Sequence, residues 1–218
     1  ISIDSGAIVV NFNWDGKFPK KRNWALENLE IKTEWVLFLD ADEVLTYEFL
    51  WELKTRDFSN SCMGFWLNYF TYFNGRLLRY GIQQKKLALF KHRNIRYERI
   101  VSGGWCSYDM EIHEHPIIDG LILRMKSKIK HNDSNGITKF LKKHTEYISW
   151  EANRYLALYE KSQRHFTVRQ KIKYRLLNSY LFGTLFFVYS FIFKAGLLDG
   201  YYGLLYSLNK SLYYYNIK

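Results

Sequence analysis

The sequence predicts an α/β fold, and three observations carry that prediction. Strand and helix signals alternate through the first half of the chain, as they do where helices cover a sheet. Trp35-Val36-Leu37-Phe38-Leu39 is an uninterrupted apolar run that stops at Asp40-Ala41-Asp42-Glu43. The turn dipeptides Asn74-Gly75 and Asp119-Gly120 punctuate a β-rich middle section before the pattern becomes helical beyond Asn135-Gly136.

In chain order, Ala7 to Val10 reads as a short buried strand. Pro19, after the Asp15-Gly16-Lys17 loop, sits where a helix begins, with Trp24, Leu26 and Leu29 spaced for one apolar face. The run from Trp35 to Leu39 has the pattern of a strand covered on both faces. Thr46 is a candidate N-cap for a short helix through Phe49, Leu50 and Leu53. Cys62 to Phe73 is rich in aromatic and β-favouring residues, and Asn74-Gly75 predicts a hairpin returning through Leu77 to Tyr80. Lys86 to Phe90 reads as another strand, and Asp119-Gly120 joins the runs Glu111 to Ile118 and Leu121 to Ile129, so the middle section is expected to be mostly antiparallel. Ile137, Phe140, Leu141, Tyr147, Ile148 and Leu156 suggest one long amphipathic helix reaching about Ser162.

Composition narrows the function classes. At 218 residues and 48% hydrophobic content the chain can bury a substantial core. Cys62 and Cys106 form no CxxC pattern, which gives neither a disulfide framework nor a zinc knuckle and suits a reducing compartment. The net charge of +11 is placed unevenly: residues 1–120 hold 15 Lys and Arg against 16 Asp and Glu, and residues 121–218 hold 17 against 5. The basic half is followed by an aromatic and apolar tract, which favours a membrane surface over a nucleic-acid groove. Arg164, Arg169, Lys171, Lys173 and Arg175 precede an uncharged stretch from Leu176 to Phe193, at the lower edge of bilayer-spanning length and diluted by Asn178, Ser179, Gly183, Thr184 and Ser190. Interfacial helices account for the basic residues and the apolar rings together.

The chemistry-bearing cluster is Asp40-Ala41-Asp42. In extended backbone, residues two apart share a side, so both carboxylates are expected to converge beyond the end of a strand, where open α/β sheets bind ligands. Two hard carboxylates suit a Mg2+ or Mn2+ ion that keeps water and phosphate oxygens as its other ligands. The alternative is an acidic loop at the start of the next helix, with Glu43 and Glu48 near its positive end. His131 closes the strand from Leu121 and is a candidate third metal ligand or phosphate contact, or else a structural histidine. His113 and His115 share a strand face, with too few companions for a zinc site.

The strings Phe18-Pro19-Lys20-Lys21-Arg22-Asn23-Trp24-Ala25-Leu26, Trp35 to Glu43, Ile112-His113-Glu114 and Gly196-Leu197-Leu198-Asp199-Gly200 occur in one order. Together they resemble the family 2 glycosyltransferases, in particular the bacterial branch that builds lipopolysaccharide cores and exopolysaccharides. The resemblance implies a GT-A-like fold, here incomplete, in which residues 1–135 form a partial catalytic domain and residues 136–218 a helical, basic and aromatic membrane-associated region. It implies a nucleotide-sugar donor, a divalent metal and inversion at the anomeric carbon. The family opens with a strand and an Asn-containing loop for the base and ribose, then a second strand bearing an Asp. Neither precedes Ala7, so a truncated chain is expected.

On this resemblance Asp42 ligates the metal and Asp40 reaches the metal or the ribose. Lys20, Lys21 and Arg22 support phosphates or form a solvated basic first turn, and Asn23 bonds the nucleotide or the helix start. Glu114 matches the family's general base, with Asp109 and Glu111 as competitors. The acceptor is expected to be a lipid-linked or other membrane glycan, and the location the cytoplasmic face of the inner membrane, held peripherally on its anionic surface. Two other readings stand beside this one: a non-catalytic module of the same fold without the donor-binding front, and a nucleic-acid-binding protein. The acidic Asp40 cluster and the absence of an RNA-binding motif oppose the latter.

Overall fold

The computed structural model describes residues 3–59, 61–98, 115–131, 145–153, 156, 175–177, 179 and 181–217. The described chain is mixed α/β, as expected. Its main sheet runs in the order β1 (Trp35–Leu37), β5 (Lys85–Lys91), β3 (Cys62–Phe73), β8 (Leu121–His131), β2 (Glu43–Val44), with β4 (Arg76–Leu78) paired to β3. A second, two-stranded sheet joins β6 (Arg96–Tyr97) to β7 (Pro116–Ile117). Helices α1 (Lys21–Asn28) and α2 (Tyr47–Thr55) flank the strands.

The core forms because β3 alternates. Phe65, Leu67, Tyr69, Thr71 and Phe73 are buried while the residues between them are half-exposed, the period-two pattern of a strand with one covered face. Phe65, Leu67 and Tyr69 pack with Phe49 of α2, Leu89 of β5 and Met125 and Ile129 of β8. Thr46 caps α2 as predicted: its hydroxyl accepts from the Phe49 amide at 3.1 Å and donates to the Lys128 carbonyl at 2.9 Å, tying the helix start to β8. Asn74-Gly75 makes the predicted hairpin, both residues having positive φ (48° and 75°), as a two-residue turn between twisted strands requires.

Three expectations need correction. Ala7 to Val10 is not a buried strand: it has no regular structure, and Ile8 is 92% exposed. Its apolar side chains have no neighbour to cover them among the described residues. The Trp35 run forms only a three-residue strand, half-buried, at the end of the sheet rather than its middle, because β1 pairs with β5 alone among the described strands. Asp119-Gly120 does not close a hairpin: β7 turns away to pair with β6, and β8 crosses to lie parallel to β3. Five of the six strand pairings among the described residues are antiparallel, so the middle section is mostly antiparallel as expected, with β3–β8 as the parallel exception. The helix expected up to Ser162 is seen at 145–153 and 156, and the rest of that stretch lies outside the described residues.

The C-terminal tract is a bent helical hairpin. Helix α3 (Leu181–Val188) continues through a π-helical turn (Tyr189–Phe193), and a 3-10 turn (Gly196–Asp199) leads into α4 (Gly200–Ile217). Small residues line the contact: a Cβ on Gly203 would stand 2.0 Å from the Gly196 carbonyl oxygen, Ser207 donates to Ser190, and Ser211 donates to the Gly183 carbonyl at 2.7 Å. Asp199 joins this hairpin to the sheet. Its two carboxylate oxygens accept from the backbone amides of Arg79 (3.0 Å) and Tyr80 (2.9 Å), just past β4. The Gly81 amide donates to the Lys194 carbonyl at 2.9 Å, and Phe73 meets Tyr206 edge to face.

Asp199→Ala should therefore lower stability by about 1–2 kcal/mol, as expected for losing two charge-assisted hydrogen bonds to partly solvated amides. Asp199→Asn should lose less, since it keeps one acceptor. Urea denaturation measures both, and an alanine variant as stable as the parent would show that the clamp contributes nothing.

Candidate functional site around the acidic turn

Strand register decides what surrounds the first carboxylate. β1 and β5 pair antiparallel with Leu37 opposite Leu89, and the Phe38 amide continues the ladder to the Ala88 carbonyl. The same register carried three residues further brings Asp40 opposite Lys86. The Lys86 ammonium lies 2.7 Å from Asp40 Oδ2 and 3.2 Å from Glu43 Oε1, and Arg22, from the first turn of α1, reaches Asp40 Oδ1 at 3.0 Å. Glu43 Oε2 accepts from the Asp40 backbone amide at 3.0 Å, and the Glu43 amide donates to the Asp40 carbonyl at 3.0 Å. The acidic segment is thus a closed turn rather than extended chain.

That turn separates the two aspartates, which sequence spacing had placed on one object. Asp40 faces Arg22 and Lys86. Asp42 faces His131, whose Nε2 stands 3.1 Å from Asp42 Oδ2. The second contact also follows from pairing, because β2 meets β8 with Glu43 opposite His131. Partial burial works to raise the Asp40 pKa, but Lys86 and Arg22 outweigh it and hold this carboxyl below the usual aspartate range. Beneath the turn lies Tyr69. Burial, then the adjoining Glu43 carboxylate, push its phenol far above the ordinary value, and its hydroxyl reaches Glu43 without completing a hydrogen bond of ordinary geometry.

Among the described residues, no three side chains of His, Cys, Asp or Glu come together as a metal site. Asp42 and His131 nevertheless fit a divalent ion that keeps phosphate and water oxygens as its other ligands, and the imidazole suits Mn2+ better than Mg2+. Asp40 fits less well, since both its oxygens are already held by cations.

The basic first turn also divides. Arg22 reaches the site. Lys20 is buried with its ammonium 5.0 Å from the Trp14 ring, and Lys21 is exposed. The Asn23 amide is engaged by backbone: its Nδ2 donates to the Tyr97 carbonyl at 3.1 Å and its Oδ1 accepts from the Tyr97 amide at 2.8 Å, which ties α1 to β6. Both polar atoms of the Asn23 amide thus meet the Tyr97 backbone, where the sequence offered the nucleotide or the helix start. Glu114, Asp109 and Glu111 lie outside the described residues. The neighbouring His115 packs edge-on to Trp66 of β3.

Sequence reasoning missed Lys86 and Tyr69. The available signal was a lysine inside the apolar strand run Lys85 to Phe90, since a charged side chain there requires an anionic partner.

The depressed Asp40 pKa has a definite sign. The carboxylate contributes stability above its unfolded value, about pH 4, and loses that contribution as pH falls through the lower folded value. Asp40→Asn should therefore be less stable than the parent at neutral pH, with the gap closing below about pH 4. Urea denaturation from pH 7 to pH 2 checks this. A gap that does not change with pH would mean the ion pairs carry none of it.

No protein-family model, curated protein or solved structure matches the chain.

Proposed function

We propose that the chain is part of an inverting, metal-dependent glycosyltransferase of the GT-A type, which moves a sugar from a nucleotide-sugar donor to a membrane-linked glycan. The observation that carries this reading is the acidic turn beyond β1, where one aspartate is held by Arg22 and Lys86 and the other is left beside His131. In this reading Asp42 and His131 hold a Mn2+ or Mg2+ ion, which supplies Lewis-acid neutralisation of the departing diphosphate. Asp40 acts by ordering Arg22 and Lys86, two cations placed for donor phosphates. Glu114 takes the proton from the acceptor hydroxyl as its oxygen bonds the anomeric carbon and the nucleoside diphosphate leaves from the opposite face.

The C-terminal hairpin supports a membrane-associated acceptor. Its contact is made by Gly183, Ser190, Gly203, Ser207 and Ser211, while Leu181, Leu185, Ile192, Phe193, Leu198 and Tyr201 face outward. A small-residue interior and an apolar exterior is the arrangement of helices that pack in lipid. Among the described residues no single helix is long and apolar enough to cross a bilayer, and the two arms bend by 72°. An interfacial position on the cytoplasmic leaflet, with flanking Lys and Arg toward anionic headgroups, suits both facts.

Calorimetry with UDP, GDP, CDP and dTDP in the presence of MnCl2 tests the donor site. One of them should bind, and Asp42→Ala should weaken it about tenfold or more, the scale of a lost charge-assisted contact. Glu114→Gln should leave that affinity nearly intact but cut transfer by about 100-fold or more. Failure of all four nucleotides to bind would reject the reading, and normal turnover in Glu114→Gln would move the base to Asp109 or Glu111.

Co-sedimentation with vesicles tests the location. Binding to anionic vesicles should weaken but persist as salt rises, because the electrostatic part is screened and the apolar part is not. Absence of binding at low and high salt alike would remove the anchor.

A further inference from the structure

The outward face of α2 carries Tyr47 and Trp51 one turn apart, 79% and 60% exposed. Residues four apart on a helix stand one above the other. Between this face and β8 lies an open pocket of about 450 Å³ lined by Tyr47, Glu48, Trp51, Glu52, Lys126 and Ser127. Its floor is fixed by Glu52, whose carboxylate accepts from the backbone amides of Lys126 (2.9 Å) and Ser127 (2.7 Å) and from the Ser127 hydroxyl (2.5 Å), and pairs with Arg56. Burial works to raise the Glu52 pKa, but these bonds hold it below the ordinary glutamate value, so the floor stays anionic. The pocket is therefore preformed, as small-ligand sites usually are.

We propose that this pocket is a sugar-binding subsite, in which a pyranose ring lies on Trp51 and Tyr47 with its hydroxyls toward Glu48 and Lys126. Two large rings exposed one turn apart beside a concavity offer a ligand an apolar surface to cover. The charged groups decide which ligand brings it. With Glu52 neutralised by Arg56, Glu48 and the Lys126 ammonium leave the lining without net positive charge, which gives phosphates, nucleic acid and anionic lipid headgroups no electrostatic advantage. Among the described residues, neither Glu48 nor the Lys126 ammonium is taken up by an ion pair. A sugar hydroxyl both donates and accepts, so one neutral ligand uses a carboxylate and an ammonium together. Its C–H face meets the electron-rich face of the rings.

Lys126 lies five residues before His131 on β8, roughly 16 Å along the strand. A glycan held here could extend toward the acidic turn. Its identification as an acceptor subsite rests on the glycosyltransferase reading, whereas sugar binding does not.

The test is a 15N-correlation spectrum of the full chain, with the Trp51 indole N–H assigned by its absence in Trp51→Phe. Methyl glucoside, methyl galactoside and methyl mannoside are titrated in turn. The expected result is a saturable shift of that resonance by at least one glycoside, at an affinity of order millimolar, lost in Tyr47→Ala while the rest of the spectrum is unchanged. No shift with any glycoside overturns the proposal. A shift with choline chloride alone would assign the rings to a quaternary ammonium, and one with anionic vesicles alone would assign them to a membrane; either overturns it too. Nucleotide binding in the same sample reads the donor site separately, so sugar binding without nucleotide binding sinks the transferase reading and spares this one, and the converse outcome does the opposite.

Discussion

The pairing of Asp40 with Lys86 organises the candidate site. A strand that ends in carboxylates has to neutralise those it buries, because an unpaired buried charge costs several kcal/mol. The side chain of Glu43 is only 1% exposed, and it is satisfied by Lys86 on one oxygen and the Asp40 amide on the other. Lys86 can serve both acids because the β1–β5 register brings it opposite the first, while the closed turn folds the second back beneath it. Asp42 is thereby the acid left outside this network, facing His131. The division of labour between two chemically identical side chains is set by which strand lies opposite, not by their order in the sequence.

This explains how the site was legible and where it was not. The apolar run before Asp40, the Thr46 cap and the Asn74-Gly75 turn were readable because each depends on neighbours close in sequence. The pairing of Asp42 with His131 was approached from the end of β8, where a histidine closing a strand was already suspected. Lys86 and the split between Asp40 and Asp42 were not readable, since both depend on a register between strands about fifty residues apart, and a register shift of one residue sends every side chain to the other face. The Tyr97 partner of Asn23 was hidden for a related reason. The Asn23 amide matches the donor and acceptor of a peptide group, so it serves a nucleotide or the Tyr97 backbone equally well, and only the approach of β6 decides.

Topology also corrected the reading of Asp119-Gly120 as a hairpin turn. Asp119-Gly120 is a sound local signal for a reversal, and the chain does turn there, but a turn does not choose its partner. β8 lies against β3, where Met125 and Ile129 enter the same core as Phe65, Leu67 and Tyr69. The end of β8 lies beside β2 with Glu43 opposite His131, and this pairing brings His131 to Asp42.

The Gly196-Leu197-Leu198-Asp199-Gly200 string gains a physical account from the same kind of argument. Asp199 holds two backbone amides beyond β4, Gly200 adopts a positive φ of 60° at the start of α4, and Gly203 lets that helix pass against the Gly196 carbonyl. The first fixes the hairpin to the chain just beyond the strand pair β3–β4, and the other two set the bend within the hairpin. A joint made of backbone hydrogen bonds and close glycine contacts has little freedom to pivot, so the orientation of the hairpin and that of the sheet are set together. If the outward apolar face of the hairpin lies on a membrane, the tilt of β3 relative to that surface is set by Asp199 and its neighbours. The string would then act on function without touching a substrate, by deciding at what angle the site meets a surface-bound acceptor.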